Sequence, residues 1–358
     1  MVINILLLLY LLYASGILFL RNTKYVYLSS LLFFFIINNI RVIKNYGDYN
    51  LYIKFFAENN NITPAPGFIF LRDILNQIFG EFNEITTHLV PFIITSLEFI
   101  TGILLRSPIS IFYLFSSSIF PLLNLNALRQ GFAIACFLIG ISFFFSRKNL
   151  FKEKIYLIIA SLFIILGILT HETVLGFFIL IILVFNITSL LKKIENSINN
   201  DKLKIKISSI FYYGIFLISL IIFIIFSYSF LTDNVLIKAS KYLYRNETYN
   251  SGLVGSYYRL FTSSLITIPL LIKFVKSELD DIKARFLFSI FIVPFLFAPM
   301  SFVAAQLFSR MSYLSFISSF IALSFYRRKY NPKLNILFLI SLIGIITYTS
   351  SAIEFNLL

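Results

Sequence analysis

Residues 127–148 read ALRQGFAIACFLIGISFFFSRK. The stretch from Ala127 to Ser146 holds a single charged side chain, Arg129, and Arg147 and Lys148 follow at once. An α-helix of about twenty residues extends roughly 30 Å, the thickness of a bilayer's hydrocarbon core. A segment in that medium has no water to bond, so its backbone must satisfy itself as a helix. The stretch therefore predicts a transmembrane helix whose C-terminal end meets a basic, cytoplasm-facing flank.

The pattern repeats outward in both directions. Apolar runs cover about 2–20, 25–40, 86–105, 108–124, 155–171, 173–190, 207–231, 256–272, 286–304, 306–326 and 334–353. With 127–146 they make twelve expected spans, and the breaks at 106–107, 125–126, 172 and 305 are very short. Composition agrees. Of 358 residues, 59% are hydrophobic and 13% charged, and mean hydropathy is +0.89. Soluble domains carry about 45–50% apolar and about 25% charged residues. The expected fold is all-α: one polytopic transmembrane domain over 1–358. A water-soluble enzyme, a nucleic-acid binder and a disordered scaffold are excluded as first readings. The lone cysteine, Cys136, sits in an apolar run and leaves no intrachain disulfide or cysteine-rich metal site. Val2–Leu20 has no basic residue before it and meets Arg21 and Lys24 after it. That reverses the charge order of a signal peptide, so the segment is expected to stay as the first helix.

Positive charge sets the expected orientation. With both termini outside, twenty of the 30 Lys and Arg residues fall on inner connections and seven on outer ones. The remaining three are Arg129, Arg259 and Arg310, inside or at the ends of spans. This is the positive-inside asymmetry. Two outer segments are long. Residues 41–85 carry aromatic, amphipathic stretches, and the i, i+3, i+4 spacing from Leu71 to Phe79 predicts an interfacial helix. Residues 232–255 form a polar, tyrosine-rich outer loop.

Ionisable side chains inside spans cost about 2.5–3.5 kcal/mol at the helix centre, so their depth is informative. Counted along helices from the inner flank, Arg129 lies about 27 Å up, and His171, Arg259 and Arg310 about 25 Å up. Four polar groups from four helices share one level, just under the outer surface. Interhelical bonding or headgroup contact is the plainer account; a shared anion-binding site is the sharper one. Glu98, about 12 Å above Arg106, is either a protonated packing residue or an ion partner for an arginine. No metal-spaced histidine pair, carboxylate cage, G-x-x-x-x-G-K-[ST] loop or G-x-S-x-G elbow is present. No metal or cofactor is expected. Arginines without a metal suit a diphosphate, through bidentate charge-assisted hydrogen bonds.

Several elements stand in a distinctive order. Gly47-Asp48-Tyr49, with Tyr52 and Phe55, opens the long outer segment, and Pro66-Gly67-Phe68 follows. Leu128-Arg129-Gln130-Gly131-Phe132-Ala133-Ile134-Ala135 starts the fifth span, Thr170-His171-Glu172-Thr173 ends the sixth, and Arg310 with Tyr313 comes late. This order resembles the EpsG/Wzy family of bacterial polysaccharide polymerases, with its G-x-D-Y, R-Q-x-x-A, H-x-[ST]-A-like and late R-x-x-Y elements. Here Gly47 directly precedes Asp48, and Val174 stands where a small residue is usual. The match covers 41–175 and then Arg310.

The resemblance implies a polymerase in the bacterial inner (plasma) membrane, acting at its outer face on undecaprenyl-diphosphate-linked oligosaccharides. It implies Arg129 and Arg310, with Arg259, at the leaving diphosphate, and Asp48 or His171 orienting or deprotonating the acceptor hydroxyl. Gly47, Tyr49, Tyr52, Gln130, Glu172 and Tyr313 would bind substrate. The lipid bilayer is an expected partner, a chain-length regulator an optional one, and no nucleic acid is expected. Two other readings stand beside it: a lipid-linked oligosaccharide flippase, favoured by Glu98 alone, and an O-antigen ligase-type glycosyltransferase, which differs in acceptor.

Overall fold

The computed structural model describes residues 5–20, 23–40, 55, 65–80, 84–117, 120, 127–146, 154–197, 247–276, 281–298, 305–326 and 334–354. Among them the protein is helical throughout and has no strand. The helices are α1 (Ile5–Leu20), α2 (Thr23–Ile40), α3 (Pro66–Phe79), α4 (Glu84–Leu104), α5 (Pro108–Ser116), α6 (Leu128–Phe145), α7 (Lys154–Thr170) and α8 (Glu172–Ser197). They continue with α9 (Glu247–Lys276), α10 (Asp281–Phe297), α11 (Ala305–Met311), α12 (Tyr313–Tyr326) and α13 (Leu334–Glu354).

The all-α expectation holds, with local differences. Of the span expected at 108–124, the described residues form the nine-residue α5 and, after Ser117, include Phe120; 118–119 and 121–124 lie outside them. The span at 306–326 is two helices, α11 and α12, broken at Ser312. The helix expected at 256–272 begins at Glu247, so part of the expected 232–255 loop is helical. The break expected at 172 falls at His171. The run at 207–231 lies outside the described residues. Among those described, one helix, Leu128–Phe145, is by itself long and apolar enough to cross a membrane, and most of it is buried within the protein.

Local chemistry explains the short elements. At the α4–α5 junction, Ser107 N donates to Gly102 O and Arg106 N to Ile103 O, both at 2.9 Å. These are the paired bonds of a Schellman motif. Arg106 takes the left-handed position at φ 53°, where a non-glycine residue costs about 1–2 kcal/mol. Ser107 then caps α5, accepting from Ser110 N at 3.3 Å, and Pro108 occupies the first turn. Every residue of α5 is buried. At roughly 14 Å it would reach about halfway across a bilayer. Its terminal carbonyls are answered from outside the helix: Tyr348 donates to Phe115 O at 2.8 Å and Ser117 Oγ to Leu114 O at 2.9 Å. Tyr10 and Ser116 share a hydroxyl contact of 2.8 Å, and Tyr10 stacks on Tyr348 with centroids 4.8 Å apart. These contacts join α1, α5 and α13.

The helices cluster into two compact units, residues 1–175 with 323–358, and residues 176–322. The first unit contains α1–α7 and α13 and the second α9–α11, while α8 and α12 each begin in one and end in the other.

Candidate functional site

In the first unit the site is built on the seam between α6 and α7. Glycines let the two backbones meet. A Cβ at Gly140 would lie 2.9 Å from Ala160 O, and one at Gly167 would lie 2.9 Å from Ala133 O. Small residues permit this approach, as at tightly crossed membrane helices. The two contacts also fix an antiparallel register, 140 opposite 160 and 133 opposite 167. One further turn along each helix, 129 stands opposite 171. Arg129, Ala133 and Gly140 share a stripe at helical spacing, as do Ala160, Gly167 and His171. Arg129 and His171 are thus level with each other at one end of the pair, as expected from the sequence.

His171 is buried. Its backbone N donates to Gly167 O at 3.0 Å, and its carbonyl accepts from Val174 N at 3.0 Å. Val174 Cγ1 comes within 3.5 Å of the Cβ position of Gly167. Two turns of straight helix would separate those residues by about 10.5 Å, so the chain folds back at His171. Glu172 opens α8; its side chain is outside the described set.

α3 closes over this end. A Cβ at Gly67 would meet Thr170 N at 2.9 Å and Leu166 O at 3.0 Å. The buried face of α3 (Phe68, Leu71 and Leu75) joins Leu128 and Phe132 of α6 and Val90 and Ile94 of α4 in one apolar cluster. The Pro66-Gly67-Phe68, Leu128–Ala135 and Thr170-His171 elements therefore converge through packing. A helix is present at the expected Leu71–Phe79, but its main apolar face packs against other helices, leaving Phe70, Ile78 and Phe79 exposed. Arg72 is buried too. Its Nε and Nη2 hold Asp73 Oδ1 at 2.9 and 2.8 Å, and its guanidinium lies 5.0 Å over the Phe55 ring. Phe55 stacks in turn on Phe68, centroids 5.3 Å apart. Gln130 Nε2 is buried and meets no hydrogen-bond partner among the described residues. A buried donor left open costs about 1–3 kcal/mol, which an oxygen-rich ligand would offset. Gly47, Asp48, Tyr49 and Tyr52 lie outside the described residues.

Comparison of the chain with protein-family models, curated proteins and solved structures returns no match.

The second unit carries Arg259, Arg310 and Tyr313. α9 and α12 run parallel, with Arg259 Nε on Ser312 Oγ at 2.8 Å, Ser263 Oγ on Ser315 Oγ at 3.2 Å and Thr267 Oγ1 sharing a 2.9 Å contact with Ser319 Oγ. The offset of 52 in the two hydroxyl pairs and 53 at the arginine makes a hydroxyl seam that continues from it along both helices. Tyr313 is buried against Arg259, with 4.7 Å from guanidinium to ring centroid. Its hydroxyl bonds Ser309, and it lies in the electrostatic field of Arg310 as well. Arg310 is partly exposed at the end of α11.

Among the described residues no group of three or more His, Cys, Asp and Glu comes together. Sequence reasoning missed Arg72 as a buried group, the serines around Arg259, and the glycine contacts. A signal for Arg72 existed: it lies four residues after Phe68 and three before Leu75, on the apolar stripe of α3. Gly140 and Gly167, inside spans, were also open to reading as contact points.

Proposed function

We propose that the chain is a polytopic membrane glycosyltransferase that joins undecaprenyl-diphosphate-linked oligosaccharide repeat units at the outer face of the bacterial inner membrane. The observation that carries this reading is the α6–α7 register, which sets Arg129 level with His171 where α3 closes the end of the pair. The membrane part draws on exposed apolar surface. Leu12, Leu28, Leu162 and Leu190 are each about 60% exposed, on α1, α2, α7 and α8. Soluble monomers rarely expose large contiguous apolar patches. Twelve spans with both termini outside then follow from the apolar runs and the basic asymmetry.

In this reading the acceptor hydroxyl attacks the anomeric carbon of the donor sugar. A new glycosidic C–O bond forms as the bond to the diphosphate oxygen breaks, and the lipid diphosphate leaves with the electron pair. Arg129 stabilises the charge growing on that oxygen. His171, level with Arg129 along the helix pair, serves the leaving group as donor or imidazolium. Asp48 takes the acceptor proton. The donor is already activated, so ATP has no part in the step.

Glu98, fully buried within α4, favours a second reading, a flippase for the same lipid-linked oligosaccharide, because intramembrane carboxylates mark ion pathways. Glycan analysis of a deletion strain separates the two. Surface glycans reduced to single repeat units support the polymerase. Repeat units trapped on the cytoplasmic side support the flippase. Lipid-linked polymer accumulating without transfer indicates a ligase.

A further inference from the structure

α11 ends at Met311 and α12 begins at Tyr313, so the apolar run stops and restarts at Ser312. Around this break serine side chains serve the backbone. Ser312 Oγ donates to Ser309 O at 2.6 Å, and Ser315 Oγ donates to Ser312 O at 2.6 Å. Ser312 N closes α11 on Phe308 O at 2.9 Å, and Ser315 N donates to Ser312 O at 3.2 Å in a tighter turn. Each of these bonds stays within about one turn of chain. Backbone groups left open in lipid are costly, and local serine bonds of this kind answer them while bending the helix. They do not themselves fix the angle between α11 and α12. The break is a joint whose angle is held from outside it.

Arg259 of α9 reaches both sides of the joint. Its Nη2 donates to Ser309 Oγ of α11 at 3.4 Å, and its Nε donates to Ser312 Oγ at the break at 2.8 Å. Its guanidinium lies 4.7 Å from the ring centroid of Tyr313, the first residue of α12. Nη2 also donates to Ser256 Oγ at 2.8 Å, which steadies the group on its own helix. A guanidinium is planar and rigid, so donors on Nε and Nη2 set the spacing of the groups they hold. Further along, Ser263 with Ser315 and Thr267 with Ser319 tie α12 to α9. α9 and α12 thus form one frame, and the arginine fastens α11 to it across the joint. The Tyr257 and Phe308 rings, centroids 5.0 Å apart, add packing between α9 and α11.

We propose that Arg259 is a positioning residue, the pin that sets the angle of α11 on α12 and with it the stance of Arg310. Arg310 stands between Ser309 and Ser312, both of which the pin bonds. Arg259 is 4% exposed, and its three printed-distance bonds and its ring contact are all given to the protein's own side chains. The pin therefore moves Arg259 from the leaving diphosphate, where the resemblance would put it, to the framework that presents Arg310. Tyr313 shares that task, since its ring meets the guanidinium and its hydroxyl bonds Ser309. The pin rests on contacts among α9, α11 and α12 and stands whether or not the chain makes polymer.

The test is hydrogen–deuterium exchange of the purified full-length protein in detergent, read by mass spectrometry in peptides covering 305–313 and 314–326. Arg259→Lys keeps the charge but loses the rigid fork that spans Ser309 and Ser312. It should raise exchange over 305–313 about tenfold, the scale of one lost hydrogen bond to a charged group, and leave 314–326 unchanged. Ser309→Ala removes only the α11 side of the pin and should act in the same direction by a smaller factor. Ser309→Thr keeps the hydroxyl and should match wild type. Equal exchange over 305–313 in wild type, Arg259→Lys and Ser309→Ala overturns the proposal. A rise spread evenly over the whole protein overturns it too, because Arg259 would then be a general packing group. Turnover on a lipid-linked repeat unit gives the second readout: Ser309→Ala should lower it as Arg259→Lys does, and Ser309→Thr should keep it. Full turnover in Ser309→Ala beside loss in Arg259→Lys would return Arg259 to the substrate. Wild-type protein that shows the local exchange pattern but makes no polymer upholds the pin and counts against the polymerase reading.

Discussion

Replacing Gly167 with alanine is the sharpest probe of the α6–α7 seam. The added Cβ would sit 2.9 Å from Ala133 O, whereas ordinary contact begins at 3.4 Å. The neighbour is backbone, so no side chain can rotate away. The helices must part by about half an ångström at that point, and the seam that levels Arg129 with His171 loosens. Overpacking of this kind costs about 1–3 kcal/mol, less the few tenths to about 1 kcal/mol that alanine gains over glycine in a helix. Gly16 in α1 is the control, since a Cβ there meets nothing within 4 Å. Gly16→Ala should be neutral or slightly stabilising. Thermal unfolding of both variants in detergent, beside wild type, makes the comparison. If Gly167→Ala is as stable as Gly16→Ala, the close seam and the register drawn from it are wrong.

Other outcomes follow from the same contacts. Tyr348→Phe removes the donor to Phe115 O at the end of α5 and should destabilise by about 1–3 kcal/mol, read by the same unfolding assay. Cysteines at Lys54 and Asn250 should label from outside with an impermeant thiol reagent, and cysteines at Asn199 and Lys329 should not. Native Cys136 is buried and should stay silent, and outside labelling at Asn199 overturns the proposed topology. Asp48→Asn should lose turnover while keeping donor binding, whereas His171→Ala should weaken donor binding as well; the opposite pattern exchanges their roles.

The helical class was legible because length and hydropathy are local properties of the chain. The level of Arg129 and His171 was legible because rise per residue converts sequence distance into depth. Which helices touch was harder to read, since the pairing of α6 with α7 depends on Gly140 and Gly167 meeting carbonyls on the opposite chain. By sequence Arg72 is one of the basic residues of the long outer segment. Its burial depends on Phe55, distant in sequence, lying under its guanidinium. The serines around Arg259 resembled ordinary small residues until a parallel α12 brought Ser309 and Ser312 to the arginine.

The most direct measurement is reconstitution of the purified protein in liposomes with an undecaprenyl-diphosphate-linked repeat unit and no ATP or metal. The account predicts lipid-linked glycans longer by whole repeats, with one lipid diphosphate released per linkage. It also predicts a steep loss in Arg129→Lys, which keeps the charge but loses the planar fork. Bound donor that never lengthens in the wild type, or undiminished polymer from Arg129→Lys, would contradict it.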